Sequence, residues 1–332
     1  MDKKETGRGY VATLIGTIAF ATSAMGHHSA VIFDTTTAVA FTGTVTGYDW
    51  TNPHVYLYVE RHVDSAESVI WQLEADATSI MSRSGWGPET FSVGDRVVVR
   101  ANPDRIPARN QGLLVSIVTE DGVVLTPRAG GRAASVGSDS LSGTWDGLRG
   151  FTTRRFIYGE LTEKGRAVQA SYNESDNPTS DCIPFPLPTI IAAPYLMQIE
   201  IQPDIVFIRS EIFNTERSIY MDGRGHPQNG IRSNQGHSIG WWEDEVLIVD
   251  TALFSDNLVG NRDGIASGAQ KHVVERYELI DEGRQVAVEF IVEDPEYLVD
   301  PMVGGIVWDF APDREFTPFN CDPEVATRYY SE

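Results

Sequence analysis

From residue 152 onward the chain is written in short β-type segments, and that pattern limits its fold more than any other feature. Residues 152–159, 195–202, 204–210, 216–222, 236–242, 245–251, 271–279, 284–293 and 304–310 are rich in Val, Ile, Phe, Tyr and Trp, with partial alternation. Turns such as Gln202-Pro203-Asp204, Glu243-Asp244-Glu245 and Asp281-Glu282-Gly283 leave room for little but antiparallel pairing between neighbours. Helical periodicity is scarce. Eight to ten strands in meander order are expected to close into an antiparallel, lipocalin-like β-barrel, whose interior accommodates a small ligand. A β-sandwich is the alternative packing.

Residues 38–125 also read as strands: Val39–Phe41 with Gly43–Val45, then 55–59, 69–73, 95–99 and 113–118. One helix is expected over 76–82, with Asp76 as its N-cap. Three strands, a helix and two strands is the order of an OB-like five-stranded barrel. The stretch Thr126–Asp139 is Gly-rich and free of aromatics, so it reads as a linker. The expected organisation of this all-β chain is a leader at 1–26, an OB-like barrel at 27–126, a linker at 127–140 and the larger barrel at 141–332.

The leader reading rests on Lys3, Lys4 and Arg8, followed by an apolar run from Tyr10 to Ala21 and a small-residue exit. That is the layout of a secretory signal peptide, and the run is too short to span a bilayer. Cleavage is expected after Ala24 or after Gly26. The mature protein is then periplasmic or secreted, with no transmembrane segment. Its 332-residue precursor has a formal charge of −21, which argues against nucleic acid as a partner. The two cysteines, Cys182 and Cys321, are expected to form one disulfide in an oxidising compartment.

Two sets of motifs carry resemblances. His27-His28-Ser29, Gly43-Thr44-Val45, Trp50-Thr51-Asn52-Pro53-His54, Gly85-Trp86 and Val93-Gly94-Asp95 resemble a domain-of-unknown-function family of secreted bacterial proteins, over about residues 27–125. The second part resembles uncharacterised exported bacterial proteins with an Arg-x-Ile-Tyr-Met-Asp-Gly-Arg-x-His-Pro segment, here Arg217–Pro227, and a Gly-His-Ser-Ile-Gly-x-Trp-Glu segment, here Gly236–Glu243. Neither resemblance implies an activity or a set of catalytic residues. The chemical expectations therefore rest on residue types.

The first candidate site is a metal site at the mature amino terminus. His27 and His28, with His54 as a third imidazole, suit copper: cleavage after Gly26 makes a histidine brace, and cleavage after Ala24 places His27 third in a square-planar chelate. The second lies in the larger barrel. Tyr220, Asp222, Arg224 and His226 alternate along one extended stretch, and His237 and Ser238 open the next strand. His226 or His237 suits a general base, a carboxylate orients it, and Tyr220 suits an acid. Asp222 completes the catalytic candidates. Pairing Trp242 with Val246 would put Ser238 and Asp250 on one face. Ser238 lacks the strand–turn–helix context of a nucleophile elbow. Glu275 alternates with Val273 and Tyr277 and so points into the barrel, with Arg217 or Arg276 as its partner. Arg217, Trp242, Asp250 and Glu275 are the expected substrate-binding residues.

The leading expectation is an exported protein that binds, or converts without a cofactor, a small and largely apolar molecule inside the larger barrel. A periplasmic copper-binding protein is the competing class, and a structural or interaction module of the cell envelope is the third.

Overall fold

A computed structural model of the chain describes residues 32–62, 68–128 and 133–328. It is mostly β, with a five-stranded barrel followed by a larger barrel of nine strands. In the smaller barrel, β1 (Val39–Asp49) pairs with β2 (Tyr56–Arg61), and β2 pairs with β3 (Val69–Glu74). Helix α1 (Thr78–Arg83) precedes β4 (Arg96–Pro103) and β5 (Gln111–Thr119). Antiparallel pairing of β1 with β4 and β4 with β5, then parallel pairing of β3 with β5, closes the ring. This is the expected OB topology, with a short β6 (Val124–Leu125) added beside β5.

The two segments expected at 39–41 and 43–45 are one long strand. It serves both β2 and β4, and the chain can cross there because residue 43 is glycine. A Cβ at Gly43 would sit 2.5 Å from the Glu60 carbonyl oxygen. The helix departs from expectation at its start. Its N-cap position is Ala77, and Oδ1 of Asn52 accepts from the Thr78 backbone N–H (3.0 Å) and hydroxyl (3.1 Å). Asp76 does not cap it, because its carboxylate accepts from Arg128 Nε at 3.1 Å.

The larger barrel begins with β7 (Gly143–Asp146), α2 (Leu148–Phe151), β8 (Arg155–Ile157) and α3 (Glu163–Ser171). Its wall continues through β9 (Leu196–Ile201), β10 (Ile205–Ser210), β11 (Thr215–Tyr220), β12 (His237–Glu243), β13 (Val246–Ala252), β14 (His272–Ile280), β15 (Gln285–Glu293) and β16 (Met302–Phe310). Around the ring the order is β7-β9-β10-β11-β12-β13-β14-β15-β16, and β8 packs on β16 outside it. The meander is broken once: β11 and β12 run parallel, because residues 221–236 carry the chain back along the wall before β12 begins. The strand expected at 152–159 is shortened to the three-residue β8, which follows α2 after a turn.

The lumen of this barrel is filled by side chains. Trp145, Trp308, Tyr277, Phe290, Ile219, Val249 and Val288 are almost fully buried in one cluster. At its centre Arg217 reaches across the lumen from β11 to Glu275 on β14. Its Nη1 and Nη2 donate to Oε2 and Oε1 at 2.7 and 2.9 Å, and the Tyr277 hydroxyl donates to Oε1 at 2.5 Å. Burial works against the charge of Arg217, but the Glu275 carboxylate outweighs it and the guanidinium is held more basic than usual. Burial, with the same carboxylate, pushes the Tyr277 phenol well up.

The two barrels share material. Ile80 and Ala77 of the α1 region belong to the larger barrel's core, while Met81 belongs to the smaller one. Glu211, fully buried, accepts from Arg83 Nη1 at 2.8 Å and from the Thr317 N–H and hydroxyl at 3.1 and 2.9 Å. A strap at 311–328 leaves β16 and crosses to the smaller barrel. Cys321 bonds to Cys182, the Asp322 N–H donates to the Asn52 carbonyl at 3.0 Å, and Arg328 Nη1 donates to Asp49 at 2.6 Å. α4 (Pro323–Ala326) sets Val325 against Phe33 and Tyr56.

Two stability outcomes follow. Arg217→Met should cost about 3–5 kcal/mol, since it leaves a carboxylate buried without its cation, whereas Arg217→Met with Glu275→Leu should cost much less. Urea unfolding of both variants measures the difference. Replacing both cysteines by serine, which frees ends 139 residues apart, should cost about 2–5 kcal/mol in the same assay.

Candidate active site

The inward face of the larger barrel's wall is committed to the core, so the chemistry-bearing residues of β11–β14 are sorted by alternation. Arg217 and Ile219 point in and Tyr220 points out. Glu275, Val273 and Tyr277 point in and His272 points out. Along β12 and β13 the register pairs Ser238 with Thr251, Ile239 with Asp250 and Glu243 with Val246. Trp242 therefore faces Leu247 rather than Val246. That one-residue difference sends Ser238 into the core, where its hydroxyl meets that of Thr251 at 2.9 Å, and sends Asp250 outward.

β11 ends at Tyr220. Gly223, at φ +79°, then turns the chain, and the Asp222 carboxylate closes on Arg224, accepting from its Nε at 2.8 and 3.0 Å. The guanidinium lies 4.1 Å from the Tyr220 ring centroid, and it holds the exposed Asp222 carboxyl down at about 2. The chain returns at Gly236, at φ +72°, where a Cβ would come within 2.7 Å of the Ala252 carbonyl oxygen. His237 then opens β12 with its ring stacked on Tyr220, 5.3 Å between centroids.

Three of the chain's seven histidines meet here. Nδ1 of His226 and Nδ1 of His237 are 2.8 Å apart. Oδ1 of Asp250 lies 2.9 Å from His226 Nε2 and 2.8 Å from His272 Nε2, and His272 Nδ1 lies 3.5 Å from Glu293 Oε2. An ionised carboxylate only accepts, so both Nε2 atoms carry protons. With its proton on Nε2, the His226 ring can accept at Nδ1 from the Nδ1–H of His237. The hydrogen bonds form one relay, His237–His226–Asp250–His272. With Nδ1 of His237 turned to His226, Nε2 of His237 is left with its lone pair.

The relay separates its members electrostatically. Partial burial, with His226 and Arg224 close by, pushes His237 below the ordinary imidazole value of 6.5. The hydrogen bond to Asp250, reinforced by that carboxylate's charge and by Glu293, holds His272 above it. Burial raises Asp250, but the hydrogen bonds from His272 and His226 outweigh that and its carboxyl is held low. Within one relay, one imidazole is made harder to protonate and another easier, which is the direction a general base and a general acid require.

The expected site residues divide between the two faces of the wall. Tyr220, His226, His237 and Asp250 are brought together on the outer face. Asp222 pairs with Arg224 instead of joining the histidines. Arg217 and Glu275, expected to line a ligand cavity, are sealed in the core as an ion pair. Trp242 stands at the β12–β13 hairpin tip, 42 % exposed. His272 and Glu293 complete the cluster and were not expected from the sequence. The signal that locates His272 is its odd spacing from Glu275: if Glu275 is inward, His272 is outward.

Of the expected metal ligands, His27 and His28 lie outside the described residues. His54 is buried, with Nδ1 at 3.2 Å from both the Ala75 carbonyl oxygen and Glu74 Oε1. Among the described residues no group of three or more His, Cys, Asp or Glu side chains is placed to hold a metal ion. No helix among them is long and apolar enough to cross a membrane.

No curated protein matches the chain. Residues 16–113, which take in the smaller barrel as far as the start of β5, match the model of a family of unknown function, DUF6152.

Proposed function

We propose that this is an exported protein whose larger barrel binds, and converts by acid–base chemistry without a cofactor, a small and largely apolar molecule on its outer wall. The observation that carries the reading is the His237–His226–Asp250–His272 relay, with its two end imidazoles driven to opposite sides of the ordinary value. Export is supported by the Lys3–Ala21 leader pattern and by the Cys182–Cys321 disulfide.

The surroundings suit an apolar substrate. Across the strands Asp250 stands in a row with Ile239, Val274 and Ile291, all on the outer face, and Ile291 is 48 % exposed. Nε2 of neutral His237 removes a proton from the bound molecule, and cationic His272 delivers one to it. His237 then loses the Nε2 proton to water, and His272 takes one back from water at Nδ1, which restores both groups. The proton balance closes, so the reaction class is an isomerisation by proton shift. Tyr220, stacked on His237, holds the base ring in place.

Incubation with a panel of small cyclic ketones in heavy water tests this, with deuterium uptake read by mass spectrometry. At least one ketone should exchange faster than with buffer alone, and His237→Gln should lower that rate about 100-fold or more. Equal exchange by the variant removes His237 as the base, and no enhancement for any ketone removes the reading.

The pH dependence has a defined sign. His237 works when neutral, so the rate falls on the acid side of 6.5, and His272 works when cationic, so it falls on the alkaline side. Stability follows the same logic. The contribution of His272 is complete below 6.5 and lost as pH rises through its raised value. That of His237 is complete above 6.5 and lost as pH falls through its lowered value. Asp250→Asn should remove the alkaline loss of stability, measured by thermal unfolding across pH.

A further inference from the structure

The smaller barrel has a site of its own. The β4–β5 loop and the segment entering β1 border an open cavity of about 470 Å³, within the range that small ligands occupy. Val39, Trp71, Ile106 and Pro107 give it an apolar wall. Two nearly fully buried polar side chains also line it, Asp104 and Gln111. They stand opposite each other where β4 runs into the loop, the Asp104 N–H donating to the Gln111 carbonyl at 2.9 Å. Directly opposed residues of an antiparallel pair share a face.

Each of the two carries an unmet demand. Oδ1 of Asp104 accepts from the Ile106 N–H at 2.6 Å, but Oδ2 has no hydrogen-bond donor, and its ion partner Arg109 stays 3.6 Å away. Oε1 of Gln111 is buried without a donor as well. Buried acceptors are almost always satisfied in folded proteins, and a carboxylate oxygen removed from water is among the costliest to leave alone. Both oxygens lie just behind the lining, and a small rotation of either side chain would present its oxygen to a ligand that brings donors.

Charge indicates what kind. The cavity's ionic groups balance: Asp34 and Asp104 carry two negative charges, and Arg105 and the adjacent Arg109 carry two positive ones. A charged ligand gains little from such a balanced set. A neutral molecule with several hydroxyls can donate to Asp104 and Gln111, accept from Arg105, and lay its C–H face on Trp71 and Pro107. We propose that this cavity binds a neutral polyhydroxylated ring, a saccharide of one or two units.

The full chain, labelled with ¹⁵N, is titrated into the millimolar range with glucose, galactose, N-acetylglucosamine and maltose, and separately with butylammonium and acetate. At least one sugar should move the Trp71 indole and Gln111 amide signals while leaving the ring signals of His226, His237 and His272 in place. Gln111→Leu and Asp104→Asn should each weaken that binding about tenfold or more. Gln111→Leu removes an acceptor that has no partner, so folding should survive it. Asp104→Asn keeps an oxygen for the Ile106 N–H, and its fold is checked by thermal unfolding, with Gln111→Leu deciding alone if it fails. Silence with all four sugars, sugar binding unchanged in Gln111→Leu, or tighter binding of butylammonium or acetate than of any sugar would overturn the assignment.

Discussion

The ion pair between Arg217 and Glu275 decides which way the wall of the larger barrel faces. Neither group can be left alone among Trp145, Trp308 and Phe290, so both must point into the lumen and toward each other. The rest follows from the two-residue period of a strand. If Arg217 is inward, Tyr220 is outward, and if Glu275 is inward, His272 is outward. Register then carries the choice across β12 and β13 to His237 and Asp250. The same interaction that fills the interior, and so removes it as a ligand chamber, assembles the histidine cluster outside.

The smaller barrel is held to this body by contacts of a different character. α1 gives Ile80 to one core and Met81 to the other. Glu211 joins α1 and the strap through Arg83 and Thr317. The disulfide fixes the strap where it passes from one barrel to the other. Sequence-remote parts therefore meet at one seam. Each barrel keeps a site whose geometry its own strands determine.

Much of the fold is legible in the sequence because its strands alternate and its turns are short. β9, β10 and β13–β15 match expectation within one residue at each end. The failures have identifiable causes. β7 is four residues long and too short to show a period. Around β8 the β-propensity at Phe156 and Ile157 is correct, but the strand stops at three residues instead of running over 152–159. Asp76 has the chemistry of an N-cap, but Arg128, distant in sequence, claims it, and Asn52 caps the helix instead. The site was half legible. Tyr220, His226, His237 and Asp250, named from the sequence, lie together in the fold, yet the register is expected one residue out, and one residue is the whole difference between core and surface. His272 went unrecognised because its partner Asp250 is on another strand. Sequence spacing alone does not show a carboxylate shared between two imidazoles.

The central claim is that one relay drives the imidazoles at its two ends to opposite sides of the ordinary value, and NMR titration of the histidine rings tests it most directly. The account predicts that His237 titrates below 6.5 and His272 above it, and that Asp250→Asn brings His272 down toward the ordinary value. Two superimposed titrations at 6.5, unchanged in Asp250→Asn, would contradict it.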